Sequence, residues 1–270
     1  MIPAQFEYVA AQSAAHAIEL LAEHGDDAKL LAGGHSLLPM MKLRLAQPEV
    51  LIDIGELAEL AGVTADGDEL VVGATTRHAD LAASELIRAE APLLAYAAAQ
   101  VGDPQIRHRG TIGGSLSHAD PAADLPMALV ALGGSVVLQG PGGTRIVPAD
   151  DFFLSYFETV AQPDEVLVAV RVPRRPGTPW GYQKFVRRAN DWAIVGVAAI
   201  AGRIALANMG PRPLRAIAAE EALAAGASAA EAAAHAAEGT SPGEDIHADR
   251  DYRRHLARVL TRRALQHETG

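Results

Sequence analysis

At 270 residues and 49% hydrophobic, the chain can bury one large core or two modest ones, and its 21% charged residues suit a soluble globular protein. A formal net charge of -10 sets its average field against a nucleic acid backbone, and 4% aromatic residues leave few stacking platforms for single strands. Without any cysteine it has no disulfide, thiolate zinc site, catalytic thiol or protein-held iron-sulfur cluster, so redox work would need a bound organic cofactor.

The N-terminal residues show no basic stretch followed by an apolar one, and nowhere do about twenty apolar residues run without charge. The expectation is an unexported, cytoplasmic chain. Ser13 is placed to cap a helix over 14–24, with Ala17, Ile18, Leu20 and Leu21 on one side and Gly25 as its stop. Lys29, Leu30, Leu31 and Ala32 then read as a short buried strand ending in Gly33 and Gly34. A turn or helix around 37–45 leads to a second strand over 50–54, which completes a first lobe, 1–55.

A second lobe, 56–176, opens with a strand over 69–74, and Pro92 starts a helix to about Val101. Beyond a second glycine turn the pattern predicts a helix over 122–132 and strands over 134–139, 144–147 and 165–172. Pro173, Pro176 and Pro179, with Gly177, mark a junction, because proline removes donors and disfavours helix before it. The remaining unit, 177–270, reads as strands over 182–187, 193–201 and 203–207, then alanine-rich helices within 213–237 and over 249–267. The class is α+β rather than a regular βαβ array.

Two Gly-Gly turns carry the chemistry: Ala32, Gly33, Gly34, His35 and Ser36, and Thr111, Ile112, Gly113, Gly114 and Ser115. Glycine tolerates positive φ and lets consecutive amides close on an anionic diphosphate, with the neighbouring hydroxyls as further donors. Either pair alone reads as an ordinary tight turn. Together they suggest one shared pyrophosphate, and neither a Rossmann G-x-G-x-x-G nor a P-loop is present to compete.

Leu31 to Pro39 around the first turn, Thr111 to Ser115 followed by Asp120, Pro121 and Asp124, and Arg187 and Arg188 with Asp191, Trp192 and Ala193 resemble one known family. This is the family of medium, FAD-binding subunits of molybdenum hydroxylases, which includes aerobic carbon monoxide dehydrogenases and relatives of xanthine dehydrogenase, and the resemblance covers nearly the whole chain. It implies a two-lobed vanillyl-alcohol-oxidase-like (PCMH-type) FAD-binding domain and a smaller C-terminal α+β domain with an antiparallel sheet. It implies that Lys29 to Leu37 and Thr111 to Ser115 grip the diphosphate of noncovalent FAD. Asp124 is implied on the adenosine side, with Leu167, Lys184 and Val101 also near the cofactor. Ser115 departs from the asparagine of many relatives, although a hydroxyl still donates.

The residues leave alternatives beside each of these roles. Asp124 suits a ribose hydroxyl or a helix N-terminus equally. Lys184 is either an inward cation near flavin or an outward solvated lysine, and Trp192 either covers the isoalloxazine ring or belongs to the core. His35 and His78 face the cofactor or are ordinary loop histidines. His118, Asp120 and Asp124 lack a metal-binding scaffold, and the arginines of the last helix read as a solvated face.

The resemblance further implies an oxidoreductase complex in which a large subunit carries the molybdenum cofactor and a small subunit the iron-sulfur clusters. This chain would pass their electrons to NAD, a quinone or oxygen, in a three-subunit unit that pairs into a dimer, with association of the complex with the inner face of the membrane as a further expectation. Carbon monoxide is the first substrate expectation. A self-sufficient flavoprotein and a nonenzymatic nucleotide-binding scaffold are the competing readings.

Overall fold

The computed structural model of the chain describes residues 2–267. Strands β1 (Glu7–Ala10), β2 (Ala28–Leu31) and β3 (Val50–Asp53) form a parallel sheet in the order β1-β3-β2. Helix α1 (Ala14–His24) makes the crossover from β1 to β2. The Ser13 hydroxyl accepts from the His16 amide at 3.0 Å and Gly25 ends the helix at φ 54°, as the sequence predicts. Its Ala17, Ile18 and Leu21 share a core with Ile52 and Ile54. The short helix α2 (Leu37–Lys42) follows the first glycine turn.

The second sheet is antiparallel, in the order β4-β5-β10-β6-β7, with β4 (Val63–Asp66), β5 (Glu69–Gly73), β6 (Ser135–Gly140), β7 (Gly143–Pro148) and β10 (Val166–Pro173). Between β5 and β6 lie six helices: α3 (His78–Ala83), α4 (Glu85–Glu90), α5 (Pro92–Ala99), α6 (Pro104–Arg109), α7 (Ile112–His118) and α8 (Asp124–Leu132). Helix α9 (Ala149–Phe152) and the hairpin β8 (Phe153–Ser155) and β9 (Glu158–Thr159) precede β10. Strands β1 and β4 and helices α3, α4, α6 and α7 go beyond the sequence expectation. The four helices have only six or seven residues each, too few for an apolar period to stand out.

The third sheet, β11 (Trp180–Phe185), β12 (Val195–Ile200), β13 (Arg203–Ala207) and β14 (Leu214–Arg215), is also antiparallel. Helices α10 (Ile217–Ala224), α11 (Ala229–Ala234) and α12 (Arg250–His267) cover one of its faces. All six residues of β12 are buried, because Val195, Val197 and Ala199 face those helices while Ala198 and Ile200 face the second lobe. Helix α8, buried along its whole length, is the element on that other side. Met127 packs on Gly196 and the carbonyl of Val130 accepts from Arg203 at 2.9 Å.

Candidate cofactor-binding site

Strand β2 carries Lys29, Leu30 and Leu31 along the parallel sheet and delivers Ala32 and Gly33 at its C-terminal end, where ligands of such sheets gather. The chain then turns through Gly34 at φ 74°, a conformation that a Cβ would strain. Among the described residues, the amides of Gly33, Gly34, His35 and Ser36 donate to no acceptor of the chain. Four consecutive unsatisfied amides leave a concentration of positive dipole that an anion would satisfy. Gly33, Gly34 and Ser36 are half-buried and His35 is exposed, so the turn is open to a ligand.

The second motif is the start of a helix, not the free turn that the sequence suggests. Thr111 caps α7, its hydroxyl accepting from the Gly114 amide at 3.1 Å, and Gly113 donates to the Ala74 carbonyl at 2.8 Å. Gly113 is buried and Ala74 leaves no room for a Cβ there; Gly114 is exposed and Ser115 half-buried. The two motifs are in contact. A Cβ on Gly33 would run into the Arg109 carbonyl and the Cα of Gly110, directly before Thr111.

Asp124 and Lys184 meet in a second cluster, beside the backbone that leads into Val101. Asp124 lies in the first turn of α8 but does not cap it; the N-cap is Ala123, and the Asp124 side chain turns inward. One carboxylate oxygen accepts from Lys184 Nζ at 2.9 Å and the other accepts a short hydrogen bond from the Tyr182 hydroxyl. Lys184 is inward rather than solvated, and it donates also to the carbonyl of Gln100, next to Val101, at 3.1 Å. Burial pushes the Asp124 carboxyl up, against the pull of the Lys184 ammonium, and pushes the Tyr182 hydroxyl well above its ordinary value. Tyr182 and Arg107, which donates to the carbonyls of Val101 and Gly102 at 3.0 Å, have no signal in the sequence, since their partners are remote or are backbone atoms.

Leu167 is buried on β10 beside a bulge, where the Val168 carbonyl accepts from Ala74, the residue that also anchors Gly113. Trp192 stands apart. It lies on the β11–β12 connection, 55% exposed, and belongs to none of the three cores. Burial lowers the His118 imidazole, which packs on Phe157, while Asp120 accepts from the Ala122 amide; among the described residues no three potential metal ligands converge.

Residues 4–175 match the family model described as the FAD binding domain in molybdopterin dehydrogenase, and residues 180–267 match the CO dehydrogenase flavoprotein C-terminal domain. The chain is 45% identical to the carbon monoxide dehydrogenase medium chain of Hydrogenophaga pseudoflava, over 98% of this chain and 97% of the relative. It is 40% identical to subunit alpha of the 6-hydroxypseudooxynicotine dehydrogenase complex of Paenarthrobacter nicotinovorans, over 98% and 95%. A solved carbon monoxide dehydrogenase from Hydrogenophaga pseudoflava, lacking the Mo-pyranopterin moiety of its cofactor, superposes at a TM-score of 0.96 with 46% identity, covering 100% of this chain and 99% of that one. The two-lobed fold, the free amides of the first glycine turn and these matches agree: the chain belongs to the family of FAD-binding molybdopterin dehydrogenase domains, with the flavoprotein C-terminal domain of that family attached.

Proposed function

We propose that this chain is the FAD-binding electron-transfer subunit of a molybdenum-containing oxidoreductase. The observation that carries the reading is the run of four unsatisfied amides at Gly33 to Ser36, closed against the second glycine motif. An acceptor-rich diphosphate is the group these donors fit. On this reading Gly33 to Ser36, with Gly114 and Ser115 opposite, hold the diphosphate. Val101, Asp124, Leu167 and Lys184 line the remainder of the cofactor, and exposed Trp192 is available to cover the isoalloxazine ring. Bound FAD would supply the exchange of single electrons for pairs.

The chain has no cysteine with which to hold a cluster, so on this reading the clusters that feed the flavin sit on another chain. We assign that role to a small iron-sulfur subunit, beside a large molybdopterin subunit, in a dimer of heterotrimers that discharges to an external acceptor. Among the described residues no helix is long and apolar enough to cross a membrane. Carbon monoxide is our first substrate assignment, supported by the 45% identity to the Hydrogenophaga pseudoflava chain; the 40% match to a complex named for a different substrate shows how little this subunit constrains that choice. We also read 1–55 and 56–176 as the two lobes of the FAD unit and 177–270 as the third, because each range has its own sheet.

Purified full-length chain incubated with FAD should retain a flavin absorbance band near the visible blue after gel filtration, and Gly33→Val should lose it. In the intact complex, anaerobic carbon monoxide should bleach that band. A colourless wild-type chain would sink the cofactor assignment; a yellow complex that carbon monoxide leaves unbleached, but an aldehyde or N-heterocycle bleaches, would move the substrate alone.

A further inference from the structure

The segment Thr75 to His78 is stitched to the second glycine motif by its backbone. Ile112 donates to the Thr76 carbonyl at 3.1 Å, His78 donates to the Gly110 carbonyl at 2.9 Å, and Arg77 pairs with Thr111 in an isolated antiparallel bridge. None of these bonds reaches the first motif. The Arg77 side chain does: one guanidinium nitrogen donates to the Arg109 carbonyl at 2.6 Å and the other to the Gly55 carbonyl at 3.1 Å. The Arg109 carbonyl is the group that lies against Gly33, and Gly55 itself sits against the Ala32 carbonyl, leaving only 3.0 Å for a Cβ. The guanidinium therefore joins the backbone under one turn to the backbone beside the other.

Its other partner explains less. Glu56 is 3.6 Å away with its side chain 88% exposed, whereas that of Arg77 is 16% exposed. An ion pair with one end in water contributes little, while charge-assisted bonds from a largely buried guanidinium to two carbonyls contribute more. Arginine suits this place because its planar fork offers two donors in fixed directions, where lysine would offer a single charged point.

We propose that Arg77 is a positioning residue of the FAD site, whose side chain locks the two glycine motifs together as one cradle for the diphosphate. This rests on the proposed role of the chain as an FAD-binding subunit. The test compares the full-length wild-type chain with Arg77→Met and Arg77→Lys, measuring the FAD dissociation constant by flavin fluorescence and the melting temperature of each apoprotein. The expected result is about tenfold or greater weakening of FAD binding in Arg77→Met, partial recovery in Arg77→Lys, and apo melting temperatures within about 3 °C of wild type. Unchanged FAD binding in Arg77→Met overturns the proposal while leaving the FAD reading intact. Weakening accompanied by a larger fall in melting temperature, with lysine no better than methionine, overturns it too, since the side chain would then serve the fold in general. A wild-type chain that takes up no FAD overturns both.

Discussion

His78 is 4% exposed, and its ring packs against Gly110 with Nδ1 buried and without a partner. Burial lowers its imidazole from 6.5 to about 4, and the nearby charges of His35, Arg107 and Arg77 push the same way. The unfolded chain therefore takes up a proton as the pH falls through 6.5, whereas the folded chain resists until about 4. Stability from this residue is intact above 6.5 and lost progressively between these limits, by about 3 kcal/mol in all. Urea unfolding at stepped pH should show that slope in the wild type and a shallower one in His78→Phe. The sequence offered His78 as a histidine facing the cofactor or an ordinary one in a loop; it is neither solvated nor in a loop but buried at the start of α3, and nothing local reveals that a distant glycine will sit on its ring.

The Asp124–Lys184 pair makes the opposite case, two charges buried together. Removing one partner strands the other, so Lys184→Met should cost about 3–5 kcal/mol near neutral pH, and the Asp124 carboxyl should rise further as burial is left opposed mainly by the Tyr182 hydroxyl. Adding Asp124→Asn should return a large part of that loss, read as a coupling in a double-mutant cycle of urea midpoints. If Lys184→Met unfolds at the wild-type midpoint, the pair is solvated and this account is wrong.

At the scale of elements, the glycine motifs were legible as a pair but not as a turn and a helix start. Helix α7 contains two glycines and two serines in seven residues, and its own propensity argues against a helix. It forms because Thr111 caps it and because Thr76 and Ala74 accept its first amides, all of which are tertiary facts. Thr111→Ala should accordingly cost about 1 kcal/mol, visible as a lower melting temperature of the apoprotein. Gly33→Ala tests the contact between motifs. Its new methyl group meets the Arg109 backbone rather than a flexible side-chain end, so FAD retention should fall even though alanine is otherwise the mildest change.

Across the whole molecule, the sheet strands with strong apolar runs were read within a few residues. The run over 193–201 announced a buried strand, yet composition gave no sign that it is covered on both faces by different parts of the chain. That arrangement makes the region before Pro176 dependent on the C-terminal unit. A fragment ending at residue 175 would expose Met127 and the rest of the face of α8 that meets β12 and β13, and would leave Asp124 without Tyr182 and Lys184. It should sediment as aggregates or melt far below the full chain, with no cooperative transition of its own. A sharp transition from that fragment near the full-length melting temperature would show the first two sheets to be independent.

The buried carboxylate of α8 and the ammonium of β11 belong to segments that match two separate family models. Exchange of parts between relatives is thereby constrained. A hybrid joining the first segment of this chain to the second of a cousin inherits half of an internal ion pair, and functions only if the donor supplies both a hydroxyl and a cation where Tyr182 and Lys184 stand. The seam most convenient for recombination is thus one that a buried ion pair crosses.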